Sequence, residues 1–294
     1  MLLGDVVGDL ITLDADAAVI DARSGLVAVP VGHVAAARIA PPSSAEELAL
    51  EAVVAGGWQA EETAELGGWL LRASHGFTAR GNSVLPLRAA GQPLDGALEA
   101  ARAWYADRGL PVRIQLPVEA RRLLDAELAE RGWIAESATH VLAARLDMLP
   151  AESSAGAAPV RIADAPDDAW LARYRGGAAV SDVARALLTR HDRAGFASVT
   201  RHGRTVAIGR GTLDGEWLGV TAVEVDESAR RQGLATEVMR ALWRWGAAQG
   251  ARRSHVEVRT DNHPAVALYG QLGYWPHHDY HYRRDPAEQG RSAS

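Results

Sequence analysis

Apolar positions follow two rhythms along this chain, a period of two that marks strands and a spacing of three or four that marks one face of a helix. Up to residue 43 only the strand rhythm occurs, in Val6–Leu13, Ala17–Asp21, Val27–Val31 and Val34–Ile39, with turns such as Ser24-Gly25 between them. After Ser44 the rhythms alternate: a helix over Glu46–Gly56, strands Trp69–Ala73 and Ser83–Leu87, helix Leu94–Arg108, strand Val112–Leu116, helix Glu119–Arg131 and strand His140–Leu146. A second series begins with strands Val160–Ala163, Ala197–Arg201, Thr205–Leu213 and Trp217–Val225. Helix Leu234–Gln249, strand Ser254–Val258, helix Ala265–Leu272 and strand His278–Tyr282 complete it. Both series end on helix, strand, helix, strand at similar lengths, which reads as a diverged duplication.

Two breaks divide the chain, Ala40-Pro41-Pro42-Ser43-Ser44 and Ser153-Ser154-Ala155-Gly156-Ala157-Ala158-Pro159. The expected parts are a small all-β barrel over 1–43 and two α/β layers over 44–150 and 151–294.

Composition narrows the chemistry. The 294 residues include no cysteine, which removes disulfides, thiolate metal sites and a cysteine nucleophile. All 31 basic residues counted as Lys+Arg are arginine, so a Schiff-base lysine and a P-loop lysine are excluded as well. A net charge of −6 argues against nucleic acid or an anionic membrane as the primary partner. The N-terminus, Met1-Leu2-Leu3-Gly4-Asp5, has no arginine before Arg23, and no apolar run is long enough for a membrane helix. A cytoplasmic protein is the expectation.

The stretch that carries chemistry runs from Val223 to Thr236, a strand leading through Arg230-Arg231-Gln232-Gly233 directly into a helix. Leu234, Val238, Ala241 and Trp245 lie on one face of that helix, so it packs on the sheet. Its N-terminus offers unpaired N–H groups and the positive end of a dipole, which together suit an anion. Gly233 and the small Ala235 let phosphate oxygens approach the backbone. A protein without lysine could hold a pyrophosphate in this way.

Arg230-x-x-Gly233-x-Ala235 after Val223-x-Val225 resembles the acetyl-CoA motif of the GNAT N-acetyltransferase superfamily. Downstream, Glu257-Val258-Arg259-x-x-Asn262-x-x-Ala265-x-x-Leu268-Tyr269-x-x-x-Gly273-Tyr274 resembles the second half of that pattern, with the spacing of bacterial ribosomal-protein N-terminal alanine acetyltransferases. The resemblance covers roughly 159–284. Gly67-Gly68-Trp69-Leu70-Leu71-Arg72 and Asn82-Ser83-Val84-Leu85-Pro86-Leu87 are similar to a degenerate GNAT half in tandem-lobe members, and 1–43 resembles their SH3-like barrel. The implied architecture is a GNAT α/β (α+β) fold, a mixed sheet flanked by helices, preceded by a degenerate lobe and the barrel.

The resemblance implies a site as well. Val223 and Val225 present backbone groups to the pantetheine arm, and Arg230, Arg231, Gln232, Gly233, Leu234, Ala235 and Thr236 wrap the pyrophosphate. Asn262 orients the thioester end or its own helix, Tyr269 is the general acid for the leaving thiolate, and Glu257 is the general base, with Glu224 as second candidate. Tyr269 and Glu257 are expected to face one cleft. Acetyl-CoA is the implied co-substrate, a primary amine the acceptor, and no metal is called for. With no cysteine to carry an acyl group, the amine attacks bound acetyl-CoA directly.

Plainer readings stand beside these. Tyr269 could be a packing tyrosine, Glu257 half of a structural ion pair, Glu224 a solvated or paired strand residue, and Asn262 a helix cap. His277, Asp279 and His281 share one face of an extended strand and mimic a metal triad, although a polar rim or plain surface fits them better. The alternative to an enzyme is a non-catalytic acyl-CoA-binding scaffold, which the presence of Tyr269 and both carboxylates disfavours.

Overall fold

The computed structural model describes residues 4–37, 40–153, 156–177 and 180–286. The chain divides into two compact units, Met1–Pro42 and Ser43–Ser294.

The smaller unit is a three-stranded antiparallel sheet in the order β1-β2-β3, made of β1 (Gly8–Leu13), β2 (Ala17–Ala22) and β3 (Gly25–Pro30). The Asp14 carboxylate accepts the N–H groups of Asp16 and Ala17, both at 2.8 Å, and so closes the first turn. The expected fourth strand does not form over residues 34–37, and Arg38 and Ile39 lie outside the described residues. The reason is local: Pro30 ends β3, and Val31–His33 coils into a short 3-10 turn that Val34 N–H closes onto Val31 O.

The larger unit is built on an eleven-stranded mixed sheet. Its first half contributes α1 (Ser44–Gly57), β4 (Glu62–Leu66), β5 (Trp69–Ala73), β6 (Val84–Pro86), α2 (Leu94–Ala106), β7 (Arg113–Pro117), α3 (Arg122–Glu130) and β8 (Ile134–Arg145). Its second half contributes β9 (Arg161–Ala163), α4 (Asp168–Leu171), α5 (Asp182–Thr189), β10 (Ala194–Arg201), β11 (Arg204–Asp214) and β12 (Trp217–Val225). There follow α6 (Leu234–Ala248), β13 (Arg253–Arg259), α7 (His263–Gln271) and β14 (Trp275–Arg284). The strand order is β4-β5-β6-β7-β14-β8-β13-β12-β11-β10-β9.

The last strands of the two halves are exchanged. β14 from the second half pairs with β7 of the first, and β8 from the first pairs with β13 of the second, so one sheet runs through both halves. Each half also contains one parallel pair joined through a helix, β6–β7 across α2 and β12–β13 across α6.

The two faces of the second half are covered differently. On one face Gly209 and Gly211 let α6 sit close, since a Cβ at Gly209 would come within 2.5 Å of Val238 and one at Gly211 within 3.0 Å of Trp245. The opposite face is covered by α1, whose N-terminus is fixed by a capping box between Ser43 and Glu46. Leu50 and Val54 of α1 form one apolar cluster with Val141, Tyr280 and Tyr282 of the sheet. Among the described residues no helix is long and apolar enough to cross a membrane.

Candidate functional site

The site begins where two parallel strands part. β12 and β13 pair from Trp217↔Arg253 to Val220↔Val256 and no further. Beyond that point β12 continues to Val225 paired only with β11, and β13 continues to Arg259 paired only with β8. Each strand therefore turns an edge of peptide groups that the sheet does not satisfy toward the gap, and an extended ligand can add there as a strand does. β12 is also bulged at this point: Ala222 has a φ of 54°, and the register with β11 shifts between Ile208 and Arg210. Ala222 and Val223 thus oppose the single residue Gly209. A non-glycine residue held in the left-handed region beside an open edge is strain stored where chemistry would use it.

β12 then feeds the anion cradle. Arg231 (φ 60°) and Gly233 (φ 75°) are both left-handed, and Gly233 is the N-cap of α6 without any side-chain cap. The first-turn N–H groups of α6 at Leu234, Ala235 and Thr236 are therefore left for a ligand. A Cβ at Gly233 would meet nothing within 4 Å, so the cradle has room for phosphate oxygens. The flanking side chains pair outward: Arg230 with Glu227 at 3.1 Å, and Gln232 as acceptor from Arg201.

α7 closes the same face. Asn262 caps it, accepting Ala265 N–H at 3.3 Å, with Pro264 in the first turn. Tyr269 lies in the apolar cluster that holds Val220, Val256 and Val258, with its ring edge-on to Tyr274 at 5.9 Å. Burial pushes the Tyr269 hydroxyl up to about 12. Tyr274 is different in kind, because its hydroxyl is engaged by Trp243 Nε1 (3.0 Å) and Ser254 Oγ (2.7 Å).

Alternation along β13 turns Glu257 to the other face, under α1. Its carboxylate is buried, 2.8 Å from Arg80 Nε, and accepts the Tyr280 hydroxyl at 2.7 Å. Burial alone would raise its pKa, but the Arg80 guanidinium and the Tyr280 hydroxyl hold it below the usual carboxylate range. Arg80 arrives from the first half, on the turn Ala79–Gly81. Asn82 organises that turn by accepting Ser74 N–H (2.7 Å) and Gly76 N–H (2.9 Å) and donating to Thr78 O (2.7 Å).

Three expectations change as a result. Tyr269 and Glu257 flank one gap but stand on opposite faces of the sheet. Glu257 is ion-paired, so any acidic limb that it set in a pH–rate profile would lie below the ordinary range for a carboxylate. Glu224 is engaged through both oxygens, which accept the N–H groups of Arg175 (2.8 Å) and Gly176 (2.9 Å) in a left-handed turn. That turn is held further by Arg175, whose guanidinium lies 4.0 Å over the Phe77 ring.

The histidines on β14 do not converge on a common centre. His277 Nδ1 meets His278 Nδ1 at 2.8 Å, Asp279 pairs with His140, and His281 pairs with Asp125. No group of three metal-ligating side chains occurs among the described residues.

Burial pushes His255, under α1, and His277, on β14, down to about 4. In the unfolded chain both titrate near 6.5, so between these values the unfolded state binds protons that the native state refuses. Stability is thus expected to fall as pH drops from about 6.5 toward about 4. Melting temperatures measured across that window check this, and His255→Asn should flatten the slope.

Three groups of residues were not foreseen from sequence. Arg80 comes from the other half, Ala222 makes the bulge, and Arg210 and Thr221 stand side by side across β11 and β12. Only Arg210 left a signal, as a lone charge directly after the apolar run Val206-Ala207-Ile208-Gly209.

Residues 44–283 match the family described as "Probable histone acetyltransferase Rv0428c C-terminal". The Probable histone acetyltransferase Rv0428c of Mycobacterium tuberculosis is 31% identical over 295 residues, covering 97% of this chain and 90% of the relative. The fold is similar to that of a GCN5-related N-acetyltransferase from Kribbella flavida, with TM-score 0.60, 20% identity, and coverage of 84% of this chain and 97% of that one. It is also similar to a tandem GNAT protein from the clavulanic acid biosynthesis pathway, with TM-score 0.54, 14% identity, and coverage of 85% and 90%.

Proposed function

Because this chain belongs to the Rv0428c C-terminal family of GNAT N-acetyltransferases, we propose that it moves an acetyl group from acetyl-CoA directly to a primary amine. The observation that carries this reading is the parting of β12 and β13 directly before an uncapped, left-handed turn at the start of α6. In this reading Val223 and Val225 receive the pantetheine arm, and Arg230 to Thr236 receive the pyrophosphate. Asn262 sets α7, and Tyr269 donates a hydrogen bond to the sulfur as the C–S bond breaks.

The halves divide accordingly, with 151–294 as the catalytic domain, 44–150 as a degenerate GNAT-like lobe and 1–43 as a small SH3-like β-barrel. The first half has no glycine cradle: Pro93 is the N-cap of α2, and a Cβ on Gly67 or Gly68 would strike the backbone of Ala90 or Ala89. One acetyl-CoA per chain is expected. The reaction as drawn requires no metal.

Glu257 is held low by Arg80, and both oxygens of Glu224 already accept backbone N–H groups. Glu257 and Glu224 therefore position rather than deprotonate. The neutral amine attacks the carbonyl carbon, the C–N bond forms, the thiolate leaves, and the amine's proton passes to water. A lysine-type amine of pKa ~10.4 costs roughly 4.6 kcal/mol to deprotonate at pH 7, and an α-amine near ~8 only about 1.4.

Thiol release across amine classes, with acetyl-CoA as donor, tests the activity. Below the acceptor's own pKa, kcat/KM is expected to rise about tenfold per pH unit. Glu257→Gln should lower the profile without changing its slope, and a limb near neutrality that vanishes in this variant would restore Glu257 as the base.

A further inference from the structure

The face of the sheet under α1 carries a row of polar side chains beside the gap. Register places Arg210 (β11) against Thr221 (β12), Glu257 (β13) against Val141 (β8), and Val141 against His278 (β14). Thr221 follows Val220, the last residue paired across to Val256, so it stands on the lip of the gap beside Glu257. Among the described residues, the buried polar atoms here without a hydrogen-bond partner include Arg210 Nη2, Thr221 Oγ1, His255 Nδ1 and Glu257 Oε2. Buried groups of this kind are satisfied in nearly every native protein, so a cluster beside a reaction centre points to an occupant that brings hydrogen bonds of its own.

The charges say what kind of occupant. Arg80 is matched by Glu257. Arg210 is fully buried, and its other donors go to neutral carbonyls, Leu188 O (2.9 Å) and Gly57 O (3.0 Å), with Trp58 packed 5.3 Å from its guanidinium. Burial lowers Arg210 only to about 10, so it stays charged at neutral pH. A buried cation without a counter-ion is costly, and an anionic ligand group offsets that cost.

Resting on the acetyltransferase reading above, we propose that this row is the acceptor subsite and that the acceptor is a small amine bearing a carboxylate. Arg210 Nη2 and Thr221 Oγ1 take its carboxylate, and Glu257 Oε2 takes an N–H of its amine. Arg210 and Glu257 stand two strands apart with the β12–β13 gap between them, at least about 10 Å between backbones, so chain length between amine and carboxylate becomes a determinant of fit.

The test is a matched panel: ω-amino carboxylates of increasing length, the corresponding amides, and a diamine, each with acetyl-CoA and the full chain. At least one carboxylate-bearing amine should exceed its amide in kcat/KM by about tenfold or more. Thr221→Val, which keeps the shape, and Arg210→Gln should bring that ratio toward one, with calorimetric acetyl-CoA binding reporting that each variant is folded. Equal turnover of carboxylates and amides, a preference for the diamine, or no turnover of any carboxylate by a chain that binds acetyl-CoA would overturn the subsite and leave the acetyltransferase reading standing. A ratio that survives both substitutions would mean that ordered water alone satisfies Arg210, and would overturn it too. Failure to bind acetyl-CoA at all would instead defeat the underlying reading.

Discussion

Replacing Tyr269 by Phe is expected to lower turnover by ~10²-fold or more while acetyl-CoA affinity changes little. The ring stays in the cluster with Val220 and Val256, so packing is kept and only the hydroxyl goes. With the hydroxyl raised to about 12, full proton transfer to a thiolate of ordinary pKa ~8.5 would run uphill by about 5 kcal/mol. Tyr269 therefore works as a neutral donor whose hydrogen bond strengthens as charge builds on sulfur, which is a gain made in the transition state alone. Single-turnover rates and calorimetry on the same variant separate the two quantities. A variant that melts earlier but turns over normally would make Tyr269 structural, and would move the stabilising role to the backbone of Val223 and Val225.

The fold was most legible where local pattern and tertiary packing agree. β5 and β12 have the bounds that their apolar runs imply, and α6 follows its periodic face to within one residue. What escaped was set by partners distant in sequence. β4 is the edge stretch Glu62-Thr63-Ala64-Glu65-Leu66, whose glutamates hide a strand that pairs only with β5. α4, four residues long, is too short to show a period, α5 shows little more than two turns, and each depends on a cap, Asp167 or Ser181, that reads in sequence as a loop residue. The exchange of β8 and β14 could not be read either, because register is a property of pairs of strands.

The site divides along the same line. The cradle is local, so Arg231, Gly233 and the start of α6 announce it in the sequence. Glu257 looks like a base only while Arg80 is out of sight, and Arg80 lies far away along the chain, on a turn that Asn82 fixes. Glu224 looks free until Arg175 and Gly176 turn their N–H groups onto it. In both cases the ionisable group was visible and its partner was not, and the partner decides whether a carboxylate can take a proton.

The cradle itself is tested by two substitutions at one position. Gly233 is left-handed at φ 75°, and a Cβ there meets no atom within 4 Å. Gly233→Ala therefore adds backbone strain of roughly 1 kcal/mol and no clash, and should weaken acetyl-CoA binding less than about tenfold. Gly233→Glu carries the same strain but sets a carboxylate at the positive end of α6, where the pyrophosphate is to lie. Opposed like charges cost several kcal/mol, so affinity should fall a further ~10²-fold or more while the melting temperature without cofactor matches that of Gly233→Ala. Because strain is common to both variants, the difference between them reports only what the longer, charged side chain does where the pyrophosphate is to lie. Equal affinities would mean that no phosphate approaches the start of α6, and the pyrophosphate would have to be sought away from residues 230–236.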